Sequence, residues 1–221
     1  MLQHVFERAS LSRYLSSMMI ATDDERIYEE ARNFGAPVRM TRPDHVSGTD
    51  RVAEIAASHD AALVVNIQGD EPLIDPAAID AAILPLAHDD AIAMGTIKKR
   101  IEDPRELDDP NVVKVVTNLA GDAIYFSRSR IPFVREGAAG AAPCFKHIGL
   151  YVYRREFLLA YSGLTVGPLE LAERLEQLRA LENGYTIRVV ETEYESLGVD
   201  TPADLERVSR LFELTSTEPY A

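Results

Sequence analysis

Short apolar runs alternate along the chain with longer amphipathic stretches, the pattern of strands that cross over through helices. Met18-Met19-Ile20-Ala21-Thr22 reads as a strand, and Asp23-Asp24-Glu25 opens the helix behind it. Pro37-Val38-Arg39-Met40 reads as the next strand. Ser47-Gly48-Thr49-Asp50 fits a capping box, with Val52, Ile55 and Ala56 as the buried stripe of the following helix. Leu63-Val64-Val65-Asn66-Ile67 is nearly all apolar and predicts a parallel strand covered on both faces. A helix from about Pro76 to Ala87 and a strand around Ile92–Ile97 complete a β-α-β-α-β-α-β rhythm. That rhythm predicts an α/β fold with an open, mostly parallel sheet.

Beyond about residue 98 the rhythm changes. Val112–Thr117 and Ala123–Ser127 are short β-rich runs, and the Gly121-Asp122 between them suits a hairpin turn. Glu136–Pro143 is small-residue and flexible in composition, a mobile loop by expectation. His147–Tyr153 alternates like a strand, Gly167-Pro168 opens a helical stretch through Leu181, and Ile187–Val190 is a last strand. Thr201-Pro202-Ala203-Asp204 supplies a cap, a first-turn proline and a third-position acid for a final helix. No linker-like stretch divides the chain, which predicts one α/β domain over 1–221 with a β-rich lobe at about 98–153.

Composition narrows the functional classes. The 221 residues are 46% hydrophobic and 27% charged, ordinary for a globular protein. The net charge of −13 argues against a general nucleic-acid binder, which needs basic groups to neutralise phosphates. The single Cys144 offers neither an internal disulfide nor a structural zinc cluster. No apolar run reaches about 18 residues, and MLQHVFERAS lacks the basic head and apolar core of a signal peptide. The expectation is a soluble, cytoplasmic protein without membrane insertion.

Four segments carry candidate chemistry. Asn66-Ile67-Gln68-Gly69-Asp70-Glu71-Pro72 follows the most apolar strand, where ligands of open parallel sheets bind. Gly69 permits close backbone approach and Asp70 supplies hard oxygen for Mg²⁺, although an acidic turn capping the next helix has the same composition. In Gly198–Pro202 the cap explains Thr201, Pro202 and Asp204 but leaves Asp200 free for another task. In Met40–Arg51 the capping box uses Ser47 and Asp50, whereas Arg42 and His45 can serve a base, ribose or phosphate, or simply a surface loop. Arg128, Arg130 and Arg135, with Lys146-His147 beyond, concentrate cations that can receive a small carboxylate or balance the acidic surface. By local pattern His147 is a strand residue, and Glu176-Gln177 sit off the apolar stripe of Leu175, Leu178 and Leu181.

Together these segments resemble the 3-deoxy-manno-octulosonate cytidylyltransferases, also called CMP-KDO synthetases. The resemblance runs in order through ATDDERI at 21–27, MTRPDHVSGTDR at 40–51, VVNIQGDEP at 64–72 and DPNVVKVV at 109–116. It continues through YFSRSRIPF at 125–133, KHIGLYVYR at 146–154, LEQLRALENG at 175–184 and GVDTPADLERV at 198–208. The resemblance implies a Rossmann-like nucleotidyltransferase sheet with helices on both faces and a β-rich lobe that forms a homodimer. It implies coupling of CTP to KDO, giving CMP-KDO and pyrophosphate for lipopolysaccharide assembly. By the same resemblance Asp70 and Asp200 are the catalytic pair that ligates Mg²⁺, and Gln68 contacts the nucleotide with Arg42, His45 and Ser47 nearby. Arg128, Arg135, His147, Tyr151, Glu176 and Gln177 line the sugar side.

One feature departs from the pattern. The family opens on a strand and a loop of the form I-P-A-R-x-x-S-x-R-L-P-G-K-P-L, whereas Met1–Ala9 resembles the helix that follows that loop. The expectation is an N-terminally incomplete domain with exposed strand edges and weak or absent turnover. A CMP-sialic acid synthetase is the alternative within the same chemistry, and a noncatalytic dimer partner is the alternative outside it.

Overall fold

A computed structural model describes residues 1–135 and 143–215. The expected mobile loop, Glu136–Pro143, lies outside the described residues except for Pro143. Helix α1 (Leu2–Ala9) is followed by β1 (Ile20–Thr22), α2 (Glu25–Asn33), β2 (Val38–Met40) and α3 (Gly48–Ala57). Then come β3 (Leu63–Asn66), α4 (Pro76–His88), β4 (Met94–Arg100) and a 3-10 turn at Pro104–Leu107. The hairpin β5 (Lys114–Thr117) and β6 (Ala123–Ser127) precedes β7 (Phe145–Arg154) and α5 (Arg155–Tyr161). Helices α6 (Pro168–Glu173) and α7 (Gln177–Glu182), strand β8 (Ile187–Glu191) and α8 (Pro202–Thr215) complete the order.

The caps explain where the helices begin. The side chains of Asp24, Ser47 and Asp75 accept from the backbone N–H of Arg26, Asp50 and Ala77. At α8, Thr201 and Asp204 satisfy each other's backbone N–H, so the capping box read from the sequence forms. The buried face of α3 is Thr49, Ala53 and Ala56; Val52 and Ile55 are only half-buried, so the predicted stripe is displaced around the helix.

The sheet belongs to the α/β class, with two strands, β6 and β7, reversed. In the six-stranded sheet the order is β6-β5-β7-β4-β8, and β3 adds to the free stretch of β7. Strands β3 and β4 both run antiparallel to β7, and β8 runs parallel to β4, so β3, β4 and β8 share one direction. The hairpin joins this same sheet through Phe145 and Lys146 of β7, with Gly121 at φ +86° supplying the left-handed residue its turn requires. Helices α1 and α4 cover one face with Val5, Ile79, Ile83 and Leu86; α3, α5 and α7 cover the other with Ala56, Phe157, Leu158 and Leu178. Helix α4 approaches so closely that a Cβ on Gly95 would lie 2.6 Å from Leu86 Cδ1.

Strand β3 differs from its expectation. Leu63, Val64 and Val65 are only partly buried, because among the described residues β3 pairs on one side alone, antiparallel to β7. Strands β1 and β2 form a separate parallel pair, and no described strand joins β1 to β3, although α3 packs on both.

Candidate active site

The site is built where β3 ends. A cavity of about 250 Å³ is lined there by Asn66 and Gln68 after β3, Tyr151 and Tyr153 of β7, and Gly48 and Thr49 at the start of α3. Tyr161 of α5 and the segment Arg174–Gln177 close it. A more open cleft of about 500 Å³ runs along α8 between Leu197 and Arg210, but no β-strand end reaches it. Ligands of open α/β sheets bind beyond the carboxyl ends of strands, which selects the smaller cavity.

The segment 174–177 lines the cavity because a helix breaks there. The apolar spacing predicted one helix through Leu181, but Arg174 adopts φ 52° and ψ 50°, left-handed for a non-glycine residue. Side-chain bonds hold the break. Glu173 accepts from Ser127 Oγ at 2.6 Å and from the Arg128 N–H at 2.9 Å, tying the end of α6 to β6. Burial opposes ionisation of Glu173, yet these donors prevail and hold its carboxyl below the ordinary value. The Arg128 guanidinium donates to the carbonyls of Glu173 at 2.7 Å, Pro110 at 2.9 Å and Arg174 at 3.4 Å. Released from the helix, Glu176 accepts from Thr49 Oγ1 at 3.1 Å, and buried Gln177 accepts from Tyr151 OH at 3.2 Å.

Beside this wall, β7 carries an irregularity: Thr96 pairs with Tyr151, and Ile97 with Ile148, so β7 contributes two extra residues. Buried Thr96 meets the carbonyls of Leu150 at 2.8 Å and Ile148 at 3.2 Å, and lies 2.9 Å from His147 Nε2. Its single hydroxyl proton goes to a carbonyl, so His147 carries its proton on Nε2 and donates it to Thr96. The imidazole packs against Tyr151 with ring centroids 5.4 Å apart and against Phe126 at 5.0 Å. Burial pushes the His147 pKa down to about 3 and raises that of Tyr151, so both are neutral and Tyr151 keeps its donor.

The His147 shift predicts a pH dependence. The unfolded chain takes up this proton near pH 6.5 and the native protein does not until about pH 3. Between those values the unfolded state binds more protons, so stability falls as pH drops. From pH 7 to pH 5 this one group is expected to cost about 2 kcal/mol. His147→Gln removes it, and urea unfolding of both proteins at the two pH values measures the difference. An equal pH dependence in parent and variant would refute the assignment.

Two acidic turns meet at a backbone hydrogen bond, and neither Asp70 nor Asp200 lines the cavity. The Val199 N–H donates to the Asp70 carbonyl at 2.9 Å, which holds the turn carrying Asp70 against the segment carrying Asp200. The Asp70 carboxylate has no hydrogen bond or ion pair among the described residues, and Asp200 is exposed. No three His, Cys, Asp or Glu side chains gather as a full metal cage among the described residues. Two carboxylates completed by phosphate oxygens and water are the usual way to hold Mg²⁺, so this donor set fits that ion.

Comparison with known proteins follows the same direction. A family model described as Cytidylyltransferase matches residues 1–189, most of the chain. The chain belongs to the cytidylyltransferase family. The 3-deoxy-manno-octulosonate cytidylyltransferase of Solibacter usitatus (strain Ellin6076) is 74% identical over 212 residues, 96% of this chain and 84% of that protein. The protein of the same name from Geobacter metallireducens (strain ATCC 53774 / DSM 7210 / GS-15) is 55% identical over 217 residues, 94% of this chain and 85% of that one. A solved CMP:2-keto-3-deoxy-manno-octonic acid synthetase complexed with CTP superposes with a TM-score of 0.92 at 41% identity, covering 97% of this chain and 88% of that one. A 4-diphosphocytidyl-2C-methyl-D-erythritol synthase from Anaerococcus prevotii DSM 20548, at TM-score 0.61 and 13% identity, shares the fold.

In this cytidylyltransferase the residues singled out from sequence separate into two sets. Gln68, Tyr151, Glu176 and Gln177 line the cavity, and His147 packs behind Tyr151. Arg42, His45 and Ser47 do not line it. Glu54 is bonded by His45 Nε2 and by the backbone N–H of Arg42, whose exposed guanidinium lies 3.6 Å from the same carboxylate, while Ser47 caps α3. The His45 bond holds the Glu54 carboxyl below its ordinary value. Arg128 braces the α6–α7 break from behind, Arg135 is exposed away from the wall, and Lys146 is paired with Glu106 and Glu195. Sequence reasoning missed Thr49, Asn66, Tyr153, Tyr161 and Arg174 as lining residues. Thr49 and Asn66 lay inside quoted motifs; nothing in the local pattern marks Arg174.

Proposed function

We propose that this cavity joins CTP to KDO, releasing pyrophosphate and CMP-KDO, the activated sugar for lipopolysaccharide assembly. The observation that carries the reading is the hydrogen-bonding wall of Gln68, Tyr151, Glu176 and Gln177 at the end of β3, in a chain 41% identical to a CTP-bound synthetase of this sugar acid. The anomeric hydroxyl forms a bond to the α-phosphorus as the bond to the β-phosphate oxygen breaks, and the hydroxyl proton is lost. Such transfer needs positioning and charge neutralisation more than covalent catalysis. Asp70 and Asp200 would hold Mg²⁺, which neutralises developing charge and orients the phosphate chain. Gln68 contacts the nucleotide. Glu176 and Gln177 bond sugar hydroxyls, with Tyr151 fixing Gln177 and Arg174 offering a planar cation to the sugar carboxylate. Exposed Leu119 and Ile124 on the β5–β6 hairpin, with Phe133 beyond it, support a homodimer through that lobe.

The test is pyrophosphate release from CTP with KDO and Mg²⁺, run beside sialic acid. The expected result is KDO-dependent, Mg²⁺-dependent release with sialic acid inert. Arg174 is the one arginine or lysine among the described residues of the cavity wall, so Arg174→Ala is expected to lower this release. No KDO-dependent release at any Mg²⁺ concentration would overturn the reading. No described helix is long and apolar enough to cross a membrane.

A further inference from the structure

Glu71 follows the proposed metal ligand Asp70 and has no task in the chemistry above. It is 9% exposed, and its carboxylate accepts from Tyr194 OH at 2.8 Å and Ser196 Oγ at 2.7 Å. Both donors sit on the extended strap 192–200 that leads from β8 to α8 and carries Asp200. Between them Glu195 bonds Lys146 and, at 2.8 Å, Lys99. Side chains alternate along an extended segment, so Tyr194 and Ser196 face the Asp70 turn while Glu195 anchors the opposite side. Val199 N–H, one residue before Asp200, then closes on the Asp70 carbonyl.

A buried carboxylate is costly, and packing alone is better served by an apolar side chain. Capping does not explain it either, since Asp75 caps α4. What the bonds achieve is placement. Asp70 and Asp200 carry like charges and lack a cationic partner among the described residues, so they separate unless the backbones beneath them are held. We infer that Glu71 is a positioning residue that, through Tyr194 and Ser196, latches the strap so that Asp200 stands opposite Asp70. This rests on the reading of those two aspartates as the metal pair.

The experiment uses Mn²⁺, which takes the same oxygen-donor sites as Mg²⁺. Mn²⁺ held on the protein in the presence of CTP is measured by water-proton relaxation enhancement, alongside amide hydrogen exchange at Val199. Residues that orient a metal ligand typically change metal affinity 10–100-fold, so Glu71→Ala is expected to weaken Mn²⁺ at least about tenfold and speed Val199 exchange. Glu71→Gln, which keeps one acceptor oxygen, is expected to recover most of the affinity. Tyr194→Phe and Ser196→Ala each delete a hydroxyl and keep the fold testable should Glu71→Ala not fold; both are expected to fall between. Faster Val199 exchange with Mn²⁺ affinity at the parent value would overturn the latch, as would unchanged exchange. Asp70→Asn and Asp200→Asn report separately: if neither weakens Mn²⁺, the metal reading fails and the latch with it.

Discussion

Replacing Asp70 or Asp200 with asparagine is expected to lower KDO-dependent pyrophosphate release by about 10²–10³-fold. The thermal midpoint should stay within about 2 °C of the parent. Neither carboxylate is needed by the fold: Asp70 makes no side-chain hydrogen bond among the described residues, and Asp200 is exposed. Asp70 also stands close enough to Glu71 to disfavour its ionisation, after the larger effect of burial. Removing that charge relieves repulsion, so Asp70→Asn should be neutral to slightly stabilising while activity collapses. Charges kept at a cost to stability are the signature of a functional site. Steady-state assays across a Mg²⁺ series, with calorimetry on each variant, check both halves. A midpoint drop of many degrees with only a proportional loss of activity would make the two residues structural.

The fold and the site were legible in the sequence to different depths. Capping boxes at Ser47 and Thr201 and the proline after Asp75 set three helix starts, because those signals are local. The hairpin at Asn118–Asp122 was legible for the same reason. Strand β3 differs in its environment: an apolar run reads as doubly covered, but burial depends on which strands flank it, and one side of β3 has no partner among the described residues. The α6–α7 break was invisible, since leucine spacing is continuous through it while the forces that break it, Glu173 to β6 and Arg128 to three carbonyls, come from residues over 40 positions away. That break is what turns Glu176 and Gln177 from an exposed helix face into a cavity wall. For His45 the opposite holds: it looks unclaimed in the motif, yet Glu54, nearly two turns into α3, has taken it, and the exposed Arg42 guanidinium lies 3.6 Å from the same carboxylate.

Lys114 yields the largest expected loss of stability. It lies in the motif at 109–116 and is 0% exposed at the start of β5. Its ammonium donates to the carbonyls of Asp109 at 2.8 Å, Val112 at 2.6 Å and Arg128 at 2.6 Å, which uses all three protons. Burial lowers its pKa, partly offset by Asp109 and Asp108, so the fold carries the cost of a desolvated cation in return for those bonds. Lys114→Met has similar length and no donors, and it would strand three carbonyls together. Stranding a buried acceptor costs about 1–3 kcal/mol, so three together are expected to cost at least about 3 kcal/mol, which for a domain of this size lowers the thermal midpoint by roughly 10 °C. The loss should reach the site, because the Arg128 carbonyl held by Lys114 belongs to the residue that braces the α6–α7 break. Lys98→Met is the internal comparison: among the described residues that ammonium bonds Thr117 Oγ1 at 2.8 Å and lies 4.1 Å from the Phe145 ring centroid. One bond and one cation–π contact predict a loss of about 1–2 kcal/mol there. Equal losses in the two variants would mean that lysine burial, and not the three-carbonyl cradle, sets the stability of β5.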